Sequence, residues 1–422
     1  MGHNVAMTNV TWPVNPTPVN HSPAPAGRTT LRRILLALAA VVAVAVLAAC
    51  GGGDSDDGGN NADQGDQTTT TSEAMAATDM ADAFAEPGPF PVGVTTLEIP
   101  DGPPVEVWYP AVAGTTGTDT YDLRDYVPDA IRALLTDDAD ATLTIDAGRD
   151  AEAAEGEFPL VVFSHGSAGV RVQSTLLTSH LASWGMVVAS PEHNSRNLAA
   201  SLGGVEADEQ TDPVDDLAGT VELMRGQNDS GPLSGRIDLD NIGAVGHSAG
   251  GGSVLAFAGT GAVNGYVSMA SGARLNDDGE APELPDVPSF FIAGSTDAVV
   301  PADTRTRPAF EAAPTPSLLW IIEGVGHNGF DDFCTFGNGT GIIGVAEASG
   351  LGGLLDGLPQ LRALGEDGCI PPSVPVADTF PIIHHAVTSW LRSLFGIDNT
   401  PVGLGPEVAD AYAVPVVIEV KD

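Results

Sequence analysis

The stretch that most constrains this chain is residues 242–259. A short apolar segment, 242–245, runs into Gly246-His247-Ser248-Ala249-Gly250, and a run of small and apolar residues follows to about Gly259. A Gly-x-Ser-x-Gly sequence between a strand and a helix makes a specific demand on the backbone. The serine sits on a sharp turn with strained dihedrals, so its neighbours must be tiny. Gly251 and Gly252 extend that allowance by letting the helix approach the sheet. Ser248 is therefore expected at the end of a strand, with its hydroxyl presented as a nucleophile.

The rest of the pattern supplies a sheet to hold it. Residues 92–99 and 105–110 (VGVTTLEI and VEVWYP) read as a strand pair joined by a Pro/Gly turn. Residues 114–156 interrupt the pattern, with a helix expected over 121–135 and acidic loop elsewhere. Residues 159–164 (PLVVFS) form a continuous apolar run of the kind buried on both faces. Helices are predicted over 172–184, 213–226 and 249–259 and after Pro301. Strands are predicted over 186–189, 242–245, 265–269, 289–293 and 318–322. A closing helix is predicted over 379–395, where Ile383, Val387, Trp390, Leu391 and Leu394 recur at helical spacing. Alternating strands and helices imply an α/β architecture, a mainly parallel sheet flanked by helices. The residues from about Pro401 are read as a terminal strand.

The other chemistry falls at loop positions after strands. Gly294-Ser295-Thr296-Asp297 follows the strand at 289–293, and Gly326-His327-Asn328-Gly329 follows the one at 318–322. In this class of site the order is serine, then acid, then histidine. That order selects Asp297 over Asp286, which precedes its strand, and over Asp331 and Asp332, which follow the histidine. His327 would take the serine proton while Asp297 fixes its tautomer. Ser164-His165-Gly166-Ser167 follows the first long buried strand, and the backbone N–H groups of Ser167 and Ala249 are the expected oxyanion donors. His165 is read as a loop brace. His193 is read either as a loop residue or as part of the pocket lining. His384 and His385 are adjacent on a helix and face different ways. No HExxH motif or Cys/His cluster points to a metal, and no cofactor is expected.

The N-terminal region reads as an address. Arg28, Arg32 and Arg33 precede an unbroken apolar run, 34–49, shorter than the ~20 residues a spanning helix needs and suited to a signal-peptide core. It ends Leu47-Ala48-Ala49-Cys50, which resembles a bacterial lipobox with Cys50 as the acylated residue. The expected organisation is a signal region over 1–49 (core 28–49), a lipid-anchored tether over 50–88, a catalytic body over 89–400 and a C-terminal extension over 401–422. The tether is Gly-, Asp-, Thr- and Ser-rich and cannot bury enough apolar surface to fold. In an oxidising compartment Cys334 and Cys369 are expected to form a disulfide, the alternative being two free buried thiols. The net charge is -40, and Lys421 is the only lysine. Such a surface repels nucleic acid and anionic membranes and suits either a saline habitat or an ordinary extracellular one. The expected location is the cell envelope, attached to the membrane through acylated Cys50, or secreted.

Together VEVWYP, PLVVFSHGSAG, GHSAGG, GSTDAVVP and GVGHNGF resemble the dienelactone-hydrolase-like and platelet-activating-factor-acetylhydrolase-like esterases over about residues 90–395. The resemblance implies an α/β-hydrolase fold with small lid-like insertions and cofactor-free hydrolysis of a carboxylic ester. There are two departures. True dienelactone hydrolases carry a cysteine nucleophile. The acetylhydrolases would place the acid after the strand that follows the nucleophile helix, where this chain reads Ser268-Met269-Ala270-Ser271. The expected substrate is a small-molecule or lipid-like ester of short to medium acyl length, and a monomer is expected. A polyester hydrolase, thioesterase or peptidase, or a non-catalytic ligand-binding lipoprotein, are the competing readings. Segments 114–156 and 331–375 could roof the site as apolar lids or be packed surface loops.

Overall fold

The computed structural model describes residues 76–422 except 207–209, 274–275, 277–278, 280 and 358. The signal-peptide and lipobox readings, Cys50 included, lie outside the described residues. Ten strands form one sheet: β1 (Val92–Glu98), β2 (Pro104–Pro110), β5 (Gly148–Arg149), β6 (Phe158–Ser164), β7 (Val187–Pro191), β8 (Ile237–His247), β9 (Gly265–Met269), β10 (Ser289–Gly294), β11 (Ser317–Ile322) and β12 (Val416–Lys421). A separate pair, β3 (Asp119–Asp122) and β4 (Thr142–Ile145), is antiparallel. The order across the large sheet is β12-β11-β10-β9-β8-β6-β7-β2-β1-β5. Its middle six strands are parallel, and β2 and β12 join them antiparallel. The strand and helix pattern implied an α/β architecture, and the arrangement is that of the α/β-hydrolase fold, as the resemblance implied.

Buried parallel strands are apolar on both faces, and β6 shows why. Leu160 and Val162 point into one hydrophobic layer and Val161 and Phe163 into the other, all four fully buried. The helices cover those two layers. On the closing helix Val376–Leu394, the buried Ile383, Val387, Trp390 and Leu391 face the sheet. From the β6/β8 boundary the chain adds parallel strands outward on both sides, β7 beside β6 and then β9 to β11 beyond β8. Their C-terminal ends meet at that switch point, the place where open α/β sheets bind ligands.

Three boundaries differ from the sequence reading. The helix expected over 121–135 is absent: the stretch holds strand β3, a 3-10 turn (Leu123–Tyr126) and one helical turn (Asp129–Arg132). Pro128 disfavours helical geometry in the residue before it. Tyr121 instead turns into the core and donates its hydroxyl to Glu106 Oε1 at 3.1 Å. Packed structure also begins before Pro89, with helix Ala77–Ala81. Phe84 is buried edge-on against Trp184, at 4.9 Å between ring centroids. Its backbone is held by His180 Nε2, which donates to Phe84 O, and by His385 Nδ1, which accepts from Phe84 N. One buried aromatic contributes about 1.5–3 kcal/mol, enough to dock a segment whose composition is otherwise polar. The stretch 401–422 likewise joins the body. Leu404 and Val408 are buried, and β12 closes the β11 edge in register from Ser317↔Lys421 to Ile322↔Val416.

The region 331–375 is mostly helical, with Gly341–Ala348, Gly352–Leu355 and Pro359–Glu366 in sequence. Cys334 and Cys369 are joined by a disulfide across it, with Cα atoms 4.8 Å apart. No helix among the described residues is long and apolar enough to cross a membrane.

Candidate active site

Ser248 follows β8 directly and precedes the helix Ala249–Ala258. Its backbone has φ 54° and ψ −123°, a region that costs a non-glycine residue on the order of 1–3 kcal/mol. The turn is held by Ser248 N donating to Met269 O at 2.9 Å and by Gly251 N donating to Ser248 O at 2.9 Å. The surrounding glycines are sterically required. A Cβ on Gly246 would collide with the Gly250 carbonyl, and one on Gly250 with the carbonyl of Ser164. Gly166 comes so close that its Cβ would lie 3.1 Å from that of Ser248.

His327 leaves the loop after β11, and Asp297 the loop after β10. His327 Nε2 lies 2.9 Å from Ser248 Oγ, and His327 Nδ1 lies 2.9 Å from Asp297 Oδ2. The three candidates therefore form one hydrogen-bonded line. Asp297 and His327 are buried while Ser248 is partly exposed. The other oxygen of Asp297, Oδ1, accepts from the amides of Val299 at 2.9 Å and Val300 at 2.7 Å. With Oδ1 so occupied, Oδ2 faces the imidazole, and Nδ1 carries the proton as donor. Nε2 is then the basic nitrogen toward Ser248. Burial by itself would depress the His327 pKa. The charge of Asp297 and its hydrogen bond, with Asp367 and Asp331 further away, outweigh burial and raise it above the ordinary imidazole value.

The oxyanion loop is braced peptide by peptide. Gly166 N donates to Gln173 Oε1 at 2.8 Å and Ala168 N to Arg196 O at 2.8 Å. Between them the Ser167 N–H meets no acceptor among the described residues, and Ser167 is exposed. The Gly166 carbonyl of that same peptide accepts from His165 Nδ1 at 2.8 Å. Ala249 is the first residue of its helix, so its N–H has no partner within the helix. Neither expected donor has a partner among the described residues, and Ser167 follows Gly166, which packs against Ser248.

His165 is a brace, as read: its Nδ1 donates as above, and its Nε2 accepts from His193 N at 2.9 Å. The pocket-lining alternative for His193 does not hold. The ring is fully buried, with Nδ1 donating to Asp216 Oδ2 at 2.8 Å and Nε2 accepting from Ser164 Oγ at 2.8 Å. Burial holds His193 well below the usual imidazole range and pushes Asp216 up to about 6. His384 is stacked between His180 and Phe380, at 4.2 and 5.8 Å. Among the described residues no group of three His, Cys, Asp or Glu side chains is disposed to hold a metal.

Four supporting residues escaped the sequence reading. Gln173 Nε2 donates to both His247 Nδ1 and Asp331 Oδ2 at 2.7 Å, and His247 Nε2 donates to His327 O at 3.0 Å. This chain ties the oxyanion loop, the nucleophile strand and the histidine loop together. Burial pushes Asp331 up to about 7. Asp367, inside the disulfide-closed segment, accepts from His327 N through Oδ1 and from Ala298 N through Oδ2, both at 3.0 Å. Arg196 spans the oxyanion loop and the nucleophile helix. Only His247, by its place in the serine motif, had a local sequence signal; the others are brought in by tertiary folding.

Residues 104–217 match the family model described as platelet-activating factor acetylhydrolase, isoform II. A search of curated proteins gives no match. The matched stretch runs from β2 through the oxyanion loop into helix Pro213–Ser230 and ends before Ser248. Beyond it the chain keeps its own arrangement: Ala270-Ser271-Gly272-Ala273, directly after β9, carry no carboxylate, and Asp297 follows β10. The resemblance and the sheet agree: over residues 104–217 this chain is platelet-activating-factor-acetylhydrolase-like, its fold is that of the α/β hydrolases, and the family to which it is similar is one of hydrolases acting on esters.

Proposed function

We propose that the chain hydrolyses carboxylic esters through a serine acyl-enzyme. Ser248 Oγ attacks the ester carbonyl while His327 Nε2 takes its proton. The amides of Ser167 and Ala249 receive the developing oxyanion, and Asp297 holds the imidazolium. His327 then returns the proton to the leaving alkoxide, and the same base activates water for deacylation. The observation that carries the reading is His327, which joins Ser248 and Asp297 by two 2.9 Å contacts while Ser248 is held at a strained φ. A ligand-binding scaffold has no use for that strain. Acylation of Cys50 would fix the enzyme to the envelope membrane, with the segment up to the first helix as its tether.

The test is hydrolysis of p-nitrophenyl esters from acetate to palmitate by the wild type and Ser248→Ala, with fluorophosphonate labelling alongside. The expected result is a short-to-medium chain optimum, lost in Ser248→Ala. A wild type that neither hydrolyses these esters nor is labelled at Ser248 would overturn the reading in favour of a ligand-binding protein. Turnover of thioesters or peptides in preference to oxyesters would reassign the bond cleaved.

A further inference from the structure

We infer that Arg196 is a positioning residue that locks the two halves of the oxyanion hole to one another; this rests on the esterase reading above. The two expected donors, Ser167 N–H and Ala249 N–H, belong to different loops after different strands. Nothing in their local sequence fixes the distance between them. Arg196 bridges them with its fork. Nη2 donates to Ser164 Oγ and to the His165 carbonyl, both at 2.8 Å, on the oxyanion-loop side. Nη1 donates to Ser253 Oγ at 2.7 Å and to the Ala249 carbonyl at 3.3 Å, on the nucleophile-helix side. The backbone of Arg196 adds a fifth tie by accepting from Ala168 N.

These contacts fall on the peptide units that flank the Ser167 amide. The 165–166 peptide is held at its oxygen by Arg196 and at its nitrogen by Gln173. The 167–168 peptide is held at its nitrogen by the Arg196 carbonyl. The 166–167 peptide between them, whose oxygen accepts from His165 Nδ1, is thereby fixed on both sides, with its N–H left without an acceptor among the described residues. The guanidinium is itself anchored from below. Ser164 Oγ accepts from Arg196 and donates to His193, and His193 donates to Asp216. This Ser-His-Asp line repeats the order of the reactive one, but Ser164 is fully buried and serves as a strut. Burial draws Arg196 down to about 10, so it remains charged at neutral pH. Lysine could not replace it, because one ammonium on a flexible stem cannot put parallel donors on both loops.

The role predicts a loss confined to the transition state. Misplacing one oxyanion donor typically lowers kcat about 10²–10³-fold. Arg196→Lys and Arg196→Met should lower kcat for p-nitrophenyl butyrate about 100-fold with KM within about threefold. The affinity of a trifluoromethyl ketone, which forms a tetrahedral oxyanion on Ser248, should weaken in proportion to kcat/KM. Ser253→Ala removes one anchor of Nη1 and should give a smaller fall in kcat with the same unchanged KM. It carries the test if the Arg196 variants do not fold. The inference is overturned if folded Arg196 variants keep kcat within about threefold of wild type. It is equally overturned if the loss appears in KM alone, or if the ketone binds the variants as tightly as wild type. An inactive, unlabelled wild type would instead remove the esterase reading, and this inference with it.

Discussion

Replacing Asp297 with asparagine alters the chemistry of one terminal atom and leaves the side-chain shape intact. The structure dictates where the new amide group goes. Oδ1 accepts from the amides of Val299 and Val300, so an NH₂ group at that position would oppose two donors, an arrangement costing about 1–3 kcal/mol for each partner left unsatisfied. The asparagine therefore keeps its oxygen toward those amides and turns its NH₂ to His327 Nδ1. That nitrogen must then accept, which moves the imidazole proton to Nε2, where it faces Ser248 Oγ. The base now presents a proton to the nucleophile it should deprotonate. The wrong tautomer in such a site costs about 10⁴ in kcat, and at about 1.36 kcal/mol per tenfold this is roughly 5 kcal/mol of barrier. Loss of the carboxylate also removes what holds the His327 pKa up. In the wild type the neutral base is needed, so activity should fall as pH drops through a value above the ordinary imidazole pKa of about 6.5. In Asp297→Asn the residual activity should have its acid limb at lower pH. The assay is p-nitrophenyl butyrate hydrolysis from pH 5 to 9, with thermal melts to show an intact fold. Activity within tenfold of wild type, or an acid limb that does not move, would refute the assignment of Asp297 and return Asp331 to consideration.

Three further outcomes follow from the supporting structure. The Cys334–Cys369 bridge closes 35 residues, so the double serine variant should lose about 3–4 kcal/mol in the chain-entropy model; a denaturant midpoint unchanged from wild type would contradict this. Asp367→Asn keeps one acceptor for two amides, those of His327 and Ala298, and should lower kcat about tenfold and stability by about 2 kcal/mol, with unchanged kinetics showing that the disulfide-closed segment does not support the triad. His180 and His384 are drawn down by burial to about 4 and about 3. The unfolded chain therefore binds more protons than the folded one between those values and about pH 6.5, and stability is lost as pH falls through that window. His180 alone accounts for an effect on the order of 3 kcal/mol. Because Asp331 titrates in the opposite sense, the measurement is the difference between wild type and His384→Phe. The variant should melt with a shallower dependence on pH between 6 and 4, and parallel profiles would refute the point.

The parts of the site legible in sequence were those where a single residue type answers a local constraint. Ser248 needs glycines at 246 and 250 because the chain crosses itself there, and the motif shows that crossing directly. Asp297 and His327 were found because both lie just beyond apolar strands, and parallel strands bring their C-terminal ends to one edge. What sequence did not show was whatever depends on two distant segments meeting. The helix expected over 121–135 does not form because Tyr121 is held by Glu106 on β2 and Pro128 breaks the run. Phe84 looked peripheral because its neighbours in sequence are polar or small, and the terminal strand expected after Pro401 had no partner edge that sequence could name. His180 and His385 supply the contacts that dock Phe84, and β11 supplies an open edge for the C-terminal strand. The region 331–375 suggested a lid by its leucines and isoleucines, whereas its Asp367 holds the backbones of both the acid and the base loops.

This distribution has a physical logic. The residues proposed to do the chemistry are few and carried on short loops, and loops by themselves cannot hold a geometry to a few tenths of an ångström. Each loop is therefore fixed to at least one neighbour by a buried or half-buried polar side chain with two or more partners. Arg196 joins the oxyanion loop to the nucleophile helix, Gln173 joins that loop to the histidine of the serine motif and to Asp331, and Asp367 joins the acid loop to the histidine loop. Buried polar groups of this kind stabilise little on balance, since their desolvation offsets most of what their hydrogen bonds contribute. Their effect is to remove alternatives: once one partner is lost, the other is left buried and unpaired, so the favourable arrangement is the complete one. Substitutions at Arg196 and Gln173 should consequently reduce turnover more than they reduce stability, whereas substitutions in the apolar layers around β6 should do the reverse.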